Sequence, residues 1–588
     1  MEYWRNGTLQ HADTPISQHP NTPLLHYSST PPLEEGVLVP MTSDTVRFPE
    51  TQHAVQLVGP GELRLNTSKP VPTPGPHEIL VKIEVVGLCF SDLKLLEQHD
   101  KHARKSEIVA GIEPAVLRGI QSYVPGAMPT VPGHELVCRI VAVGDRVKHH
   151  RVGERCLVQT DYRQLPTAAG SNAAFGYNFE GGLQEYTILD ERVIIAPDGE
   201  RFLIPVGKEK SAAAVALVEP WACVEASYVT RERNTVKPGG RLLVMAADRR
   251  EAEGVAGCFS PNGKPADVQT AAPGAVADLP DEGFDDVIYF GSDKATLDVL
   301  GDKLAPRGVI NLVLGGQRIG EPVSVGVGRV HYGMTRWVGT TGDDPAESYR
   351  HVPVNGEVRE NDKVLVVGAG GPMGQMHVIR NICLGLPGVS VVGTDFDDAR
   401  IDSLRHKAEP LAKANGVPLR FVNPQKEALD ETFSYFALMA PLGALVADAI
   451  RSADDRAIIN IFAGIPAPTK HDLDLDTYIE RRCFMFGTSG STIEDMRIVL
   501  RKVEGDQLDT SLSVDAISGM AGAIDGIAAV ENRTLAGKII VYPMLHDVGL
   551  IPLAELAGRF PTAAQRLDHG KWTLEAEREL LRVAAGSA

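Results

Sequence analysis

From His53 to about Ile195 the apolar positions come in short alternating runs broken by glycine and proline. Examples are Glu78-Ile79-Leu80-Val81-Lys82-Ile83-Glu84-Val85-Val86, Leu136 to Val143, and Arg155-Cys156-Leu157-Val158. A period of two closed off by frequent turns predicts short strands folded into a β-barrel-like domain. Beyond Glu219 strand-length apolar runs alternate with helix-length segments, which predicts α/β structure. The tail from about Leu545 reads as helical, with Leu574 and Leu580-Leu581 among charges, and is expected to form a surface or oligomer helix. Residues 1–50 are rich in Pro, Thr, Ser and His without any period, and are read as an extended arm, disordered or draped on another subunit.

The α/β region repeats itself. Val309-Ile310-Asn311-Leu312-Val313-Leu314-Gly315 resembles Ile458-Ile459-Asn460-Ile461-Phe462-Ala463-Gly464, 149 positions later. Gly339-Thr340-Thr341-Gly342 matches Gly487-Thr488-Ser489-Gly490 at an offset of 148. A near-constant offset over separate motifs predicts a duplicated unit. The first strands correspond as well, Arg241 to Ala246 against Lys363 to Gly368, but Val244 to Asn311 spans 67 residues and Val366 to Asn460 spans 94. The first copy is therefore expected to lack about one βα unit.

The copies also differ at their first turn. Lys363 to Val367 runs into Gly368-Ala369-Gly370-Gly371-Pro372-Met373-Gly374, then a helix-length stretch, then Val389 to Thr394 and Asp395. Strand, glycine turn, helix, strand and acid make a dinucleotide-binding unit: glycines let backbone approach a pyrophosphate, and the helix N-terminus offers unpaired N–H groups. Asp395 lies 25 residues after Gly370, near the roughly 20 expected of a ribose-binding acid. Its charge favours a free 2′-hydroxyl, hence NAD over NADP. The last glycine comes one position late for GxGxxG, and a tight turn without a ligand is the plain alternative. In the first copy Ala246-Ala247-Asp248-Arg249-Arg250 fills this turn, and a dinucleotide is not expected there.

Composition narrows the classes. The 588 residues carry 58 Lys plus Arg against 76 Asp plus Glu, a net charge of −18, which argues against nucleic acid and anionic membranes as partners. The most apolar window found, Tyr435 to Ile450, is interrupted by Pro441, Gly443 and Asp448, so no membrane span is expected. The N-terminal segment lacks the apolar core of a signal peptide. Seven cysteines, no two within three positions, give neither a disulfide framework nor a metal knuckle. A reducing cytoplasm is the expected compartment.

Three segments carry residue types that ligate metals: Gly87-Leu88-Cys89-Phe90-Ser91-Asp92, Pro132-Gly133-His134-Glu135 and Leu217-Val218-Glu219-Pro220. A catalytic zinc needs about three ligands from Cys, His and carboxylate. Singly, Cys89 reads equally as a buried thiol and His134 as a turn residue. Together, in this order, and with Gly144-Asp145-Arg146-Val147 and Val152-Gly153-Glu154-Arg155-Cys156 between them, they resemble the zinc-dependent medium-chain dehydrogenase/reductase family. The polyol and sugar-phosphate branch, sorbose-1-phosphate reductases among it, is the most similar part. The likeness covers roughly residues 53–235 and 360–543. It implies that Cys89 and His134 bind zinc, that Glu135 and Glu219 ligate it directly or through water, that Ser91 relays the substrate proton, and that Asp92 orients the ligand histidine. It also implies that Gly537-Lys538-Ile539-Ile540-Val541-Tyr542-Pro543 returns to the barrel.

Three departures stand out. Thr160 to Gly182 contains no cysteine, so no structural zinc is expected. Cys89 and His134 are 45 residues apart, about twice the family's gap. The excess, near 98–128, carries Lys101, His102, Arg104 and Lys105, and reads as a solvated loop or as a lid supplying charge to an anionic substrate. The extra α/β copy is not in the usual two-domain enzyme.

The expected fold is thus α/β plus β: an arm (1–50), a GroES-like zinc domain (51–235), a degenerate Rossmann-like domain (236–358), an intact NAD-binding Rossmann domain (359–536), and a return strand with helical tail (537–588). The expected function is hydride transfer between a nicotinamide cofactor and a polyol, sugar or sugar-phosphate alcohol or ketone, with one catalytic zinc. The expected residues are Ser91, Asp92 and Glu135 for catalysis, and Cys89, His134, Glu135 and Glu219 for the metal. Gly368, Gly370, Gly371, Pro372, Met373, Gly374, Asp395, Ala463 and Gly464 are expected to bind the cofactor. A zinc-free reductase of the same fold and a non-catalytic nucleotide-sensing scaffold are the alternatives. A small-molecule substrate and a homo-oligomer are the expected partners.

Overall fold

The computed structural model describes residues 48–246 and 254–585. The expected arm, save Phe48 to Glu50, and positions 247–250 of the glycine-poor turn lie outside the described residues.

Glu78–Gly87 is the hub of the β-rich region. It is buried along almost its whole length and pairs antiparallel with Glu135–Val143, Tyr186–Asp190 and Lys538–Val541. The sheet runs Ile551–Pro552, Val514–Ser518, Lys538–Val541, Glu78–Gly87, Glu135–Val143, Arg155–Val158, Leu203–Pro205. Alternation predicts one buried face; a hub strand covered on both faces needs the near-continuous apolar run that Ile79 to Val86 supplies. The register sets Gly87 opposite both Glu135 and Ile540, so three segments far apart in sequence end at one place.

Two parallel sheets follow. In the second, strands appear in the order third, second, first, fourth, fifth, sixth: Leu419–Val422, Ser390–Thr394, Lys363–Val367, Phe433–Leu438, Ala453–Ile461, Phe484–Phe486. The first runs Asp267–Ala271, Arg241–Met245, Phe284–Phe290, Leu304–Val313, Arg336–Thr340. Among the described residues it has the same order without a counterpart of the third strand.

Four expectations are corrected. The return to the barrel sheet starts at Val514–Ser518, not at residue 537, because that strand already pairs with Lys538–Val541. The segment near 98–128 is no solvated loop: Leu117, Ile120 and Val124 are buried. Lys105, fully buried, donates to the carbonyls of Val124 and Met128, so its charge is spent inside the fold. The tail docks on its own chain, with Trp572, Ala576 and Leu580 buried and Glu577 accepting the Ala212 and Ala213 N–H groups. That carboxylate caps a helix start, where unpaired donors and the positive dipole end favour it. Finally, the helical run long and apolar enough for a membrane is Ala212–Val229 rather than the Tyr435 window, and 89% of it is buried inside the fold.

Candidate active site

The end of Glu78–Gly87 delivers Cys89 to the N-cap of helix Phe90–Gln98. Asp92 serves both this turn and the next segment. Its Oδ2 accepts the Cys89 N–H at 3.2 Å and its Oδ1 accepts from His134 Nδ1 at 2.9 Å. That bond fixes the imidazole so that Nε2 faces inward, as second partners of ligand histidines do. Burial acts to lower the His134 pKa, but the charge and hydrogen bond of Asp92 lift it well above the usual imidazole range. Ser91 Oγ lies 3.1 Å from Cys89 Sγ and 3.1 Å from His134 Nε2.

Ligand atoms of Cys89, His134 and Glu135 all come within 4.8 Å of one another. Glu135 is fully buried; its Oε1 accepts from Lys538 Nζ at 2.5 Å, while Oε2 is buried without a partner. Gly87 opposite leaves the room: a Cβ there would stand 2.6 Å from Oε2. An unpaired carboxylate oxygen in a buried site costs about 1–3 kcal/mol or more unless something binds it. Glu219 is not one of that close trio. It lies near enough to feel it, its carboxyl pushed up to about 7 by burial first and by Glu135, against His134, Lys538 and Arg104. One turn on, the Cys223 thiol is raised well above its usual range by burial, then by Glu219, with Cys89 and Glu135 also near.

Sequence reasoning singled out neither Lys538 nor Tyr177 as a site residue. Lys538 is the one charged side chain in the return strand Lys538–Val541; a cation in an otherwise apolar central strand was the available signal. Tyr177 sits with its ring 5.9 Å from that of His134. His102 and Arg104 of the extra segment reach it at 5.0 and 5.7 Å, and Arg104 also pairs with Asp161 at 3.3 Å. Of the four charges expected on a lid, these two face the site, Lys105 does not, and Lys101 is exposed.

The second sheet closes the other side. Gly368 has φ +79°, a conformation that favours glycine. A Cβ on Gly374 would stand 2.2 Å from the Gly368 carbonyl, so helix Pro372–Cys383 packs against the turn only with glycine there. Gly371 faces open space save the Gly368 carbonyl at 3.8 Å. Asp395 accepts the Gly370 N–H at 3.0 Å, which holds the acid beside the turn. Ala463 and Gly464 follow strand Ala453–Ile461. Arg163 of the β-rich region donates to the Ser491 carbonyl at 2.6 Å, joining the loop after Phe484–Phe486 to that region.

A second grouping, His53, Glu185 and His546, also comes within 4.8 Å. Its imidazoles stack at 3.9 Å and 27°, so their in-plane lone pairs run alongside one another instead of converging. With His546 hydrogen-bonded to Glu185 at 2.6 Å, it is a polar clasp between the first strand and the segment after the return strand.

Residues 75–198 match the family described as alcohol dehydrogenase GroES-like domain. Sorbitol dehydrogenase of Bos taurus is 34% identical over 101 residues, 17% of this chain and 22% of that protein. Mannitol-1-phosphate 5-dehydrogenase of Aliivibrio fischeri is 23% identical over 388 residues, 57% of this chain and 84% of that protein. The chain spans between 22% and 31% of the length of the first curated relatives it matches. Among solved structures, 2R,3R-butanediol dehydrogenase of Bacillus subtilis aligns at 14% identity and a TM-score of 0.48, covering 84% of this chain and 100% of that one. Residues 75–198 are thus similar to the GroES-like domain of alcohol dehydrogenases, and part of the chain is similar to sorbitol dehydrogenases.

Proposed function

We propose that this protein is a zinc-dependent oxidoreductase that moves a hydride between NAD and a polyol, sugar or sugar-phosphate alcohol or ketone. The observation that carries the reading is the convergence of Cys89, His134 and Glu135, with a buried carboxylate oxygen on Glu135 left open. A thiolate, an imidazole held by a carboxylate and a buried carboxylate make a donor set suited to zinc. Cys89, His134 and Glu135 would hold the ion, with Glu219 a further ligand or acting through water. Zinc would supply the Lewis acidity that polarises the substrate carbon–oxygen bond, and the nicotinamide the hydride donor or acceptor.

The chain's own residues do the rest. Asp92 holds the His134 ring in place. Lys538 donates to Glu135 Oε1 and holds that carboxylate in place. Ser91 stands where it can take the substrate hydroxyl proton. Gly368, Gly370, Gly371 and Gly374 let the backbone approach a pyrophosphate at the start of the helix opened by Pro372 and Met373. Asp395 would bind the ribose hydroxyls, favouring NAD over NADP, and Ala463 and Gly464 would flank the nicotinamide. Arg104 offers an anionic substituent a partner. We read residues 359–513 as the NAD-binding Rossmann-like domain and residues 236–358 as its degenerate copy without a dinucleotide. No structural zinc is proposed.

The test is metal analysis and turnover together. Wild type should carry one zinc per chain and reduce or oxidise members of a panel of polyols, sugars and their phosphates with NAD. Cys89→Ser should lose the zinc and the turnover; full zinc and turnover in that variant would overturn the ligand assignment.

A further inference from the structure

The two α/β units touch in a pattern that repetition alone does not require. Val323–Val325 of the first pairs antiparallel with His471–Leu473 of the second, in the register Val323 to Leu473, Ser324 to Asp472, Val325 to His471. At the offset of 148, Ser324 and Asp472 are the same position of the repeat. The ladder is therefore symmetric about that pair. Other contacts come in reciprocal couples. A Cβ on Gly339 would stand 2.8 Å from Ile479, and one on Gly487 would stand 2.7 Å from His331; both glycines, and His331 with Ile479, are 148 apart. Asp476 accepts the Ile319 and Gly320 N–H groups. Its counterpart Gly328 donates to the Thr469 carbonyl at 3.2 Å and lies against the Pro466 carbonyl. Edge strands Arg336–Thr340 and Phe484–Phe486 lie side by side, and one hydrophobic core takes residues from both sheets. Residue i meeting j while the counterpart of j meets the counterpart of i is the mark of a twofold interface.

The symmetry breaks beside Gly464. Tyr332 of the first unit puts its hydroxyl 2.5 Å from where a Cβ on Gly464 would be. The corresponding position in the second unit is Glu480, which is exposed, and Gly315 has only Asp343 near it. Beside Tyr332, His331 is held below the usual imidazole range by burial first and by the charges of Lys94 and Arg336. Lys94 belongs to the helix Phe90–Gln98 that Cys89 caps.

We propose that the first α/β unit is a built-in partner for the second, placed by an internal twofold axis through the Ser324–Asp472 pair, and that its Tyr332 walls the cleft opposite Gly464. The second part rests on the reading above that the nicotinamide lies beside Gly464. A unit that has no dinucleotide of its own then shapes the site of its twin. Tyr332 is a positioning residue: it narrows the cleft around the cofactor ring and the substrate.

Two measurements on the full chain test this. In the double variant Ser324→Cys/Asp472→Cys, facing positions of an antiparallel ladder are close enough for a disulfide. Mild oxidation should link them within one chain, giving a monomer-mass band on a non-reducing gel with the loss of two titratable thiols relative to the reduced variant. A cross-linked dimer, or no link, would overturn the built-in partner. The second is titration of NADH fluorescence. Gly464→Ala should weaken NADH at least tenfold, and Gly464→Ala/Tyr332→Ala should restore most of that loss, with Tyr332→Ala alone raising KM more than it changes kcat. Equal weakening of Gly464→Ala with and without Tyr332 would overturn the wall. Failure of wild type to bind NADH would instead remove the dinucleotide reading and the wall with it, and the cross-link alone would decide the built-in partner.

Discussion

The two α/β units solve the same packing problem and finish it differently. Both turn at a left-handed residue 149 or 148 positions apart, Arg307 and Arg456, then Met334 and Arg482. Both place a buried asparagine near the C-terminal end of the corresponding strand, Leu304–Val313 and Ala453–Ile461. In the first unit the polar groups at these positions close on themselves, although the Tyr349 hydroxyl nearby is buried without a partner. Asn311 donates to the Pro345 carbonyl and accepts from Ser348, and Thr340 donates to Glu347 and accepts the Gly342 N–H. In the second, Asn460 Oδ1 and Thr488 Oγ1 are buried without a partner. A buried polar group with nothing to bind costs free energy, so a copy kept only for packing is expected to satisfy its own and a copy kept for a ligand to leave some open. The first unit retained the geometry of the contact and closed the atoms at the Asn311 and Thr340 positions.

Each unit is also pinned by an arginine, and here the largest effect is expected. Arg380, buried on the helix after the glycine turn, grips Glu225 and Glu357, and Lys502 adds a second cation to Glu225. In the first unit Arg336 grips Glu232 and the Gly487 carbonyl. Glu225→Gln should cost about 3 kcal/mol in denaturant unfolding, because it leaves buried Arg380 with Glu357 alone and Lys502 without its carboxylate. The pH dependence has a definite sign. Burial alone would raise the Glu225 carboxyl, but Arg380 and Lys502 hold it below the usual range. Its contribution is therefore present above the unfolded value of about 4.3 and is lost as pH falls through the lower folded value. The acid limb of the wild-type stability curve should flatten in Glu225→Gln; an unchanged limb would place the acid sensitivity elsewhere.

Next in size is the glycine turn itself. Gly374→Val drives a side chain into the Gly368 carbonyl. NADH affinity should fall at least about a hundredfold, roughly 2.7 kcal/mol, read by fluorescence titration. Wild-type affinity in that variant would mean that the second unit, like the first, is packing only. The open atoms sharpen the contrast further. Thr340→Val should cost about 1–3 kcal/mol of stability, since it strands Glu347. Thr488→Val should change stability by less than about 0.5 kcal/mol while weakening NADH or substrate. Equal stability losses in the two variants would remove the distinction between a closed copy and an open one.

Much of this was legible in the sequence for physical reasons. Offsets of 148 and 149 survive because strand ends and turn residues are fixed by packing. A missing βα unit shows as a shorter distance between Val244 and Asn311. Cys89, Asp92, His134 and Glu135 could be grouped because their segments resemble a known pattern, and the register at Gly87 brings them together. What sequence did not yield depends on long-range contact. Lys538 is 403 residues from Glu135, and no local period links them. The segment near 98–128 looks polar, yet Lys105 spends its charge on two carbonyls inside the fold. The tail's Leu580 reads as one side of an amphipathic helix, and nothing local says that the surface it covers belongs to the same chain.

The smallest expected effect bears on the proposed preference of the second unit for NAD over NADP. Asp395 accepts the Gly370 N–H through Oδ2 and the Asp397 N–H through Oδ1. Its carboxylate is thus oriented by backbone on both oxygens, and each oxygen keeps a further lone pair for a ribose hydroxyl. A 2′-phosphate at the same place would meet that negative charge. Arg400, whose Cβ lies 2.7 Å from the Cβ position of Gly370, is the nearby cation, but its guanidinium is turned away to the Arg533 carbonyl. Removing the acid should therefore relax the choice without inverting it. Asp395→Ala should lower the ratio of kcat/KM for NAD over NADP by about tenfold, about 1.4 kcal/mol. Asp395→Ala/Arg400→Ala should lower NADP use again, because the cation then no longer compensates. A ratio unmoved in the single variant would show that Asp395 is a turn residue only, and would make this acid the one feature of the second unit that belongs with the closed features of the first.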